Sequence, residues 1–219
     1  MNWSEQVDIY CERLGPGFWG EPVNAFTNLM FIAAALYVFP KIRGDRGAEL
    51  LALSLFVIGI CSGLFHTLAT SWAGAADSIS ILIFILIYIY IAVKRVFHRP
   101  PLMAGLAVVA FFPFAAVTSF ALLKVLGSLN GSYQYLPVLI LIVLFGVFAP
   151  SKETRNGFFI GAGILTLSLT FRSIDQGICQ SFPLGTHFLW HTCNGIMLGW
   201  MILVIHKTRS EVARSPLES

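Results

Sequence analysis

His187 and His191 stand four residues apart in an apolar stretch, and Ser62, His66 and Asp77 lie in or beside two earlier ones. Residues four apart share one face of a helix, so both imidazoles of the pair can reach one ion. His66 offers a third ligand. Three neutral imidazoles with an open fourth position describe a catalytic zinc site. Phe188 follows His187, so this is not the H-E-x-x-H pattern in which a glutamate beside the first ligand serves as the base. Asp77 is the carboxylate left for that task. Ser62 stands one turn before His66, on the same helix face. Each residue also has a plainer reading. Intramembrane histidines and serines hydrogen-bond between helices, and Asp77 fits the N-cap of a helix.

The elements that must position these groups are set by composition. Of 219 residues, 57% are hydrophobic and 11% charged, and the mean hydropathy is +0.78. A soluble domain has about 25% charged residues, so a soluble globule and a disordered chain are both excluded. The net charge of +3 rests on 14 basic and 11 acidic residues, too few for a phosphate-tracking surface. No nucleic-acid partner is expected. At roughly 20 residues per span, the chain holds about seven helices in one polytopic domain.

The apolar stretches read as 23–39, 49–69, 76–93, 101–125, 135–149, 157–171 and 187–206. The fifth and sixth are short, and their ends are expected to run into the loops. Pro113 should kink the fourth. Gly157, Gly161 and Gly163 are small residues that let helices approach closely. The expected fold is therefore all-α, with seven transmembrane helices over 23–206. An extramembrane N-terminal segment occupies 1–22 and a cytoplasmic tail 207–219.

Lys and Arg set the orientation. Lys41, Arg43, Arg46, Lys94, Arg95, Arg99, Lys152, Arg155, Lys207, Arg209 and Arg214 fall on one side of this layout. Arg13, Lys124 and Arg172 fall on the other. The bias places the N-terminus outside and the C-terminus in the cytoplasm. Helix parity then puts His66, His187, His191, Asp77 and Ser62 at one depth, toward the outer leaflet. Ionisable groups at such depth are costly and mark functional sites by default. His98 and His206 fall at the cytoplasmic surface.

Cys11 and Cys179 both lie outside, where an oxidising exterior permits a disulfide; two unpaired thiols are the alternative. Cys61 and Cys193 read as core residues. Asp8, Glu12 and Glu21 form an acidic cluster, with Asn24 at the head of the first helix. Such a cluster is able to chelate a hard cation such as Ca²⁺, and is equally well read as a solvated acidic cap.

Together these residues resemble the alkaline ceramidase family. The resemblance rests on Asp8-Ile-Tyr-Cys-Glu12, on Phe18-Trp-Gly-Glu21-Pro-Val-Asn24 leading into Thr27-Asn28, on Ser62-x-x-x-His66, on Asp77, and on His187-Phe-Leu-Trp-His191. The histidine, serine and aspartate set is shared with the adiponectin-receptor and hemolysin III type proteins. The N-terminal signature points to the ceramidase branch, and the compact loops are similar to those of bacterial-type members. The chain departs from the animal pattern in two places. Asp8 stands three residues before Cys11 rather than two, and Leu14 stands where an Asn is usual.

The resemblance implies a seven-helix membrane amide hydrolase acting on ceramide or a related N-acyl lipid. It implies Zn²⁺ on His66, His187 and His191, with Ser62 and Asp77 completing the catalytic site. It further implies a Ca²⁺ site drawing on Asp8, Glu12 and Glu21, and a Cys11–Cys179 disulfide. Membrane lipids and the lipid substrate are the expected partners. Two other readings stay open. One is a receptor-like zinc protein with little hydrolysis. The other is a metal transporter, which ordinarily shows internal repeats and broken helices near the midplane; the sequence shows neither.

Overall fold

The computed structural model describes residues 2–214. It is all-helical, and among the described residues six helices are long and apolar enough to cross a membrane. The first span, Pro22–Lys41, is built from α1 (Pro22–Thr27), α2 (Leu29–Val38) and a closing 3₁₀ turn, Phe39–Lys41. The others are α3 (Arg46–Leu68), α4 (Ser71–Arg95), α5 (Pro101–Leu126), α7 (Lys152–Ile174) and α8 (His187–Arg214). A seventh helix, α6 (Leu136–Phe148), is apolar but has only 13 residues.

That short helix corrects one expectation. The sixth stretch does lengthen at both ends, but the fifth does not. A 3₁₀ segment at Leu129–Gln134 precedes it, and Asn130 and Gly131 take positive φ there, which an α-helix cannot continue through. Helix α8 runs past the expected end at His206 to Arg214, and 215–219 of the expected tail lie outside the described residues. Helix α5 passes through Pro113 as one α-helix. It buries only Ala104 and Phe111, so it lies at the edge of the bundle.

Local chemistry explains the helix starts. Asp45 caps α3 by accepting from the Ala48 amide at 3.2 Å, while Glu49 reaches back to the Gly44 amide at 2.8 Å. Ser151 caps α7 through the Thr154 amide. Such caps are worth about 1 kcal/mol each. Helix α4 begins differently. The N-terminal segment lies antiparallel across its start, bridging Gln6 to Thr70, and the Glu5 and Trp3 carbonyls accept from the Ser71 and Trp72 amides at 3.0 and 3.1 Å. Backbone therefore caps α4 five residues earlier than the apolar run suggests. Asp77 is consequently not an N-cap; it lies two turns inside the helix.

In lipid there is no strong hydrophobic drive between helices, so close packing of small residues carries the association. A Cβ on Gly157 would meet Val204 Cγ2 at 2.7 Å, and one on Gly161 would strike the Met201 sulfur. These two glycines let α7 and α8 touch, as expected. Gly163 does not share the role, because nothing lies within 4 Å of its missing Cβ. At the opposite end from the histidine pair, Arg95 and His206 converge on buried Asp45, tying α4 and α8 to the head of α3. His206 is thus a half-buried structural partner rather than a free surface residue. His98 is exposed.

Candidate metal centre

His66 closes the last turns of α3, His187 opens α8, and His191 follows one turn later. All three are 1% exposed. Their ring centroids are 4.6 to 5.1 Å apart, and one ligand nitrogen from each lies within 4.8 Å of the others. Nε2 of His66, Nδ1 of His187 and Nε2 of His191 are buried with no hydrogen-bond partner. An unsatisfied buried polar atom costs roughly 1–3 kcal/mol. Three of them facing one small volume fit a bound cation.

The tautomers follow from the opposite ring atoms. Nδ1 of His66 is 2.7 Å from Glu21 Oε2. An ionised carboxylate only accepts, so Nδ1 carries the proton and Nε2 keeps its lone pair. Nδ1 of His191 is 2.9 Å from Thr27 Oγ1, whose own proton goes to the Val23 and Asn24 carbonyls. Nδ1 of His191 is therefore a donor as well. Supports of this kind orient metal ligands and raise their basicity. Burial pushes the Glu21 carboxyl up, but His66 and Arg13 outweigh it and hold the group below the ordinary Glu value.

The N-terminal segment closes over this cluster. The Tyr10 ring stacks on His187 at 3.7 Å between centroids. Cys11 and Cys179 are disulfide-bonded, with Cα atoms 5.3 Å apart. Asp175, fully buried, accepts from the Cys11 amide at 3.1 Å and from the Thr186 and His187 amides at 2.7 and 3.0 Å. One carboxylate thus joins the strap to the start of α8. Gly185 takes φ +65° beside it, where a Cβ would collide with both Asp175 and Cys11.

Ser62 and Asp77 line a cavity together with His187 and Arg172. The Asp77 Oδ1 is buried and unpartnered, and the Ser62 hydroxyl interacts with the same carboxylate. Deeper in the bundle the walls become apolar, with Ile85, Val138, Met197 and Leu198 shared by a second, almost wholly apolar cavity that reaches Phe145 and Met201. The second cavity therefore adjoins the first on a side walled by apolar residues.

The acidic cluster does not fit a calcium site. Both Glu12 oxygens are taken by the Val23 and Asn24 amides at 2.6 and 2.7 Å, where they cap α1. Glu21 is shared among Arg13, His66 and Asn24. Asp8 is exposed. The cation at this spot is Arg13, 5% exposed, which donates to Glu21 and to the carbonyls of Gly15, Gly17 and His66. Among the described residues, only His66, His187 and His191 form a metal-ready group.

Several site residues carry no local signal in the sequence. Thr27 and Tyr10 fall within the N-terminal motifs, where residue type alone assigns them no role. Arg172 appears only as a charge on the outer side, and Asp175 not at all. Spacing finds ligands on one helix, but not partners 164 residues apart, such as Thr27 and His191.

A search of curated proteins finds no match. A family model described as Ceramidase matches residues 14–217, which includes every histidine of the cluster, Ser62, Asp77 and the strap's Glu21. With nearly the whole chain covered, the protein belongs to the ceramidase family.

Proposed function

We propose that this protein is a zinc-dependent hydrolase that cleaves the N-acyl bond of ceramide or a related N-acyl lipid and releases a fatty acid. Family membership supports a hydrolase acting on amide bonds of a lipid. The observation that carries the metal reading is the trio of buried, unpartnered imidazole nitrogens on His66, His187 and His191. Their all-nitrogen donor set suits zinc among the common divalent ions.

His66, His187 and His191 would hold the zinc, which would supply Lewis acidity for the amide carbonyl and for the attacking water. The protein does the rest. Asp77 Oδ1, buried without a partner, takes the proton of the attacking water and delivers it to the leaving nitrogen. The single Ser62 O–H donates to the Asp77 carboxylate while that group is ionised, and is released to turn to the developing oxyanion once Asp77 has taken the water proton. Glu21 and Thr27 keep their imidazoles in the metal-ready tautomer. The apolar second cavity, adjoining at Val138 and Leu198, takes the acyl chain.

We place the site toward the extracytoplasmic leaflet. The basic bias of the loops supports this, and so does the Cys11–Cys179 bond, which belongs in an oxidising compartment. The test is metal content of the purified protein together with fatty-acid release from N-acyl lipids. One zinc per chain and release abolished by His191→Ala are expected. Full metal occupancy in that variant would remove the ligand assignment.

A further inference from the structure

Arg172 is the feature of this site that amide hydrolysis of a neutral lipid leaves unexplained. It sits near the outer end of α7, 9% exposed, and lines the same cavity as Asp77 and His187. A buried guanidinium is ordinarily paired with a carboxylate, because an uncompensated buried charge is strongly unfavourable. Among the described residues Arg172 makes no ion pair. Its Nη1 donates to the Tyr10 hydroxyl at 2.9 Å, and its Nε is buried without a partner. The rest of its support is aromatic: the Tyr10, Tyr135 and Trp190 rings lie 5.3 to 5.7 Å from the guanidinium carbon.

This arrangement holds a cation in place without neutralising it. Cation–π contacts stabilise the charge by about 2 kcal/mol or more when desolvated, yet leave N–H donors for a ligand. The Tyr10 oxygen accepts from Arg172, which leaves its own O–H available as a donor. Asp77 acts on Arg172 only through space. The apolar second cavity, adjoining the first at Val138 and Leu198, sets the side on which an acyl chain is accommodated. With the acyl chain running toward Val138 and Leu198 and the carbonyl at the histidines, the amine half of the substrate falls beside Arg172 and Tyr10.

Resting on the hydrolase reading above, we infer that the substrate is an acidic N-acyl amide, whose amine portion carries a carboxylate or phosphate that pairs with Arg172. The anion supplies the direct ion pair that Arg172 lacks, the Asp77 carboxylate of the same cavity standing beyond ion-pair distance. Arg172 is then a specificity-determining residue, and it discriminates against amides with a neutral head group.

The test uses full-length protein in nanodiscs. The probes are N-palmitoylglycine, N-palmitoylethanolamine phosphate, and their neutral counterparts N-palmitoylethanolamine and C16 ceramide. Hydrolysis of each is followed by palmitate release, and binding of each to the Asp77→Asn protein by calorimetry. We expect at least one acidic probe to exceed the neutral ones by about tenfold or more in kcat/KM and in affinity, with the carboxylate and phosphate arms naming the anion. Arg172→Gln should erase the preference mainly through KM, and Arg172→Lys should keep part of it. Equal affinity of the unsubstituted-Arg172 protein for acidic and neutral probes would overturn the inference, whether or not the variants fold. So would an Arg172→Gln protein that loses both substrate classes by the same factor. Charge-selective binding without any cleavage would overturn the hydrolase reading and leave this inference standing.

Discussion

Nδ1 of His66 lies 2.7 Å from Oε2 of Glu21, a residue that precedes the first membrane span. A carboxylate from the N-terminal segment therefore sets the tautomer of a proposed metal ligand in the bundle. Removing it should loosen the metal. Glu21→Ala is expected to lower metal affinity about 10- to 100-fold, and Thr27→Val to weaken it through His191 in the same sense. Metal retention against graded chelator reads both. An unchanged chelator midpoint in the two variants would separate the strap from the metal centre.

Asp77 and Ser62 should behave differently from the ligands. Asp77→Asn is expected to keep the metal and to slow hydrolysis by about 10²–10⁴. Ser62→Ala should cost about 10²–10³, again with metal intact. Loss of metal from either variant would make that residue a ligand or a support of one.

The Asp45 cluster, at the end of the bundle opposite the histidines, gives a pH signature. Burial pushes the Asp45 carboxyl up, but hydrogen bonds from Arg95, His206 and the Ala48 amide prevail and bring it down to about 2. The unfolded value is about 3.9. A depressed folded pKa adds stability above the unfolded value, and that stability is lost as pH falls through the folded one. The melting-temperature advantage of the native protein over Asp45→Asn should be full at pH 6, shrink below about pH 4, and vanish near pH 2. An advantage independent of pH would show that Asp45 acts by shape alone.

Arg13 occupies the place where the family resemblance implies calcium, and its guanidinium already satisfies Glu21 and three carbonyls. Calcium added after treatment with a calcium-selective chelator should leave the melting temperature unmoved. Reduction of the Cys11–Cys179 bond should lower it. In the loop-entropy model a closure of this length is worth roughly 4–5 kcal/mol. A calcium-dependent rise would restore the acidic cluster as an ion site.

Orientation is testable without activity. A tag after Ser219 should be protected from external protease in intact cells, and a tag before Met1 should be cleaved. The reverse pattern would move the histidines to the cytoplasmic leaflet.

The helical spans were legible because hydropathy over about 20 residues is a local property. His187 and His191 were legible as a pair because helical periodicity alone puts them on one face. His66, Ser62 and Asp77 joined them through parity, which needs only a count of spans. The remainder depended on contacts between distant parts of the chain. The start of α4, and with it the depth of Asp77, was decided by backbone carbonyls of Trp3 and Glu5, which no side-chain pattern encodes. Glu21 looked like a cation ligand by type. It became a support for His66, 45 residues away, because Arg13 folds in beside it. Arg172 read as one more charge at a membrane boundary. Only the packing of Tyr10, Tyr135 and Trp190 around it, brought from three separate segments, makes it a buried cation facing the cavity. A residue's type and spacing determine what it can do; burial and partners, which are non-local, determine which of those things it does.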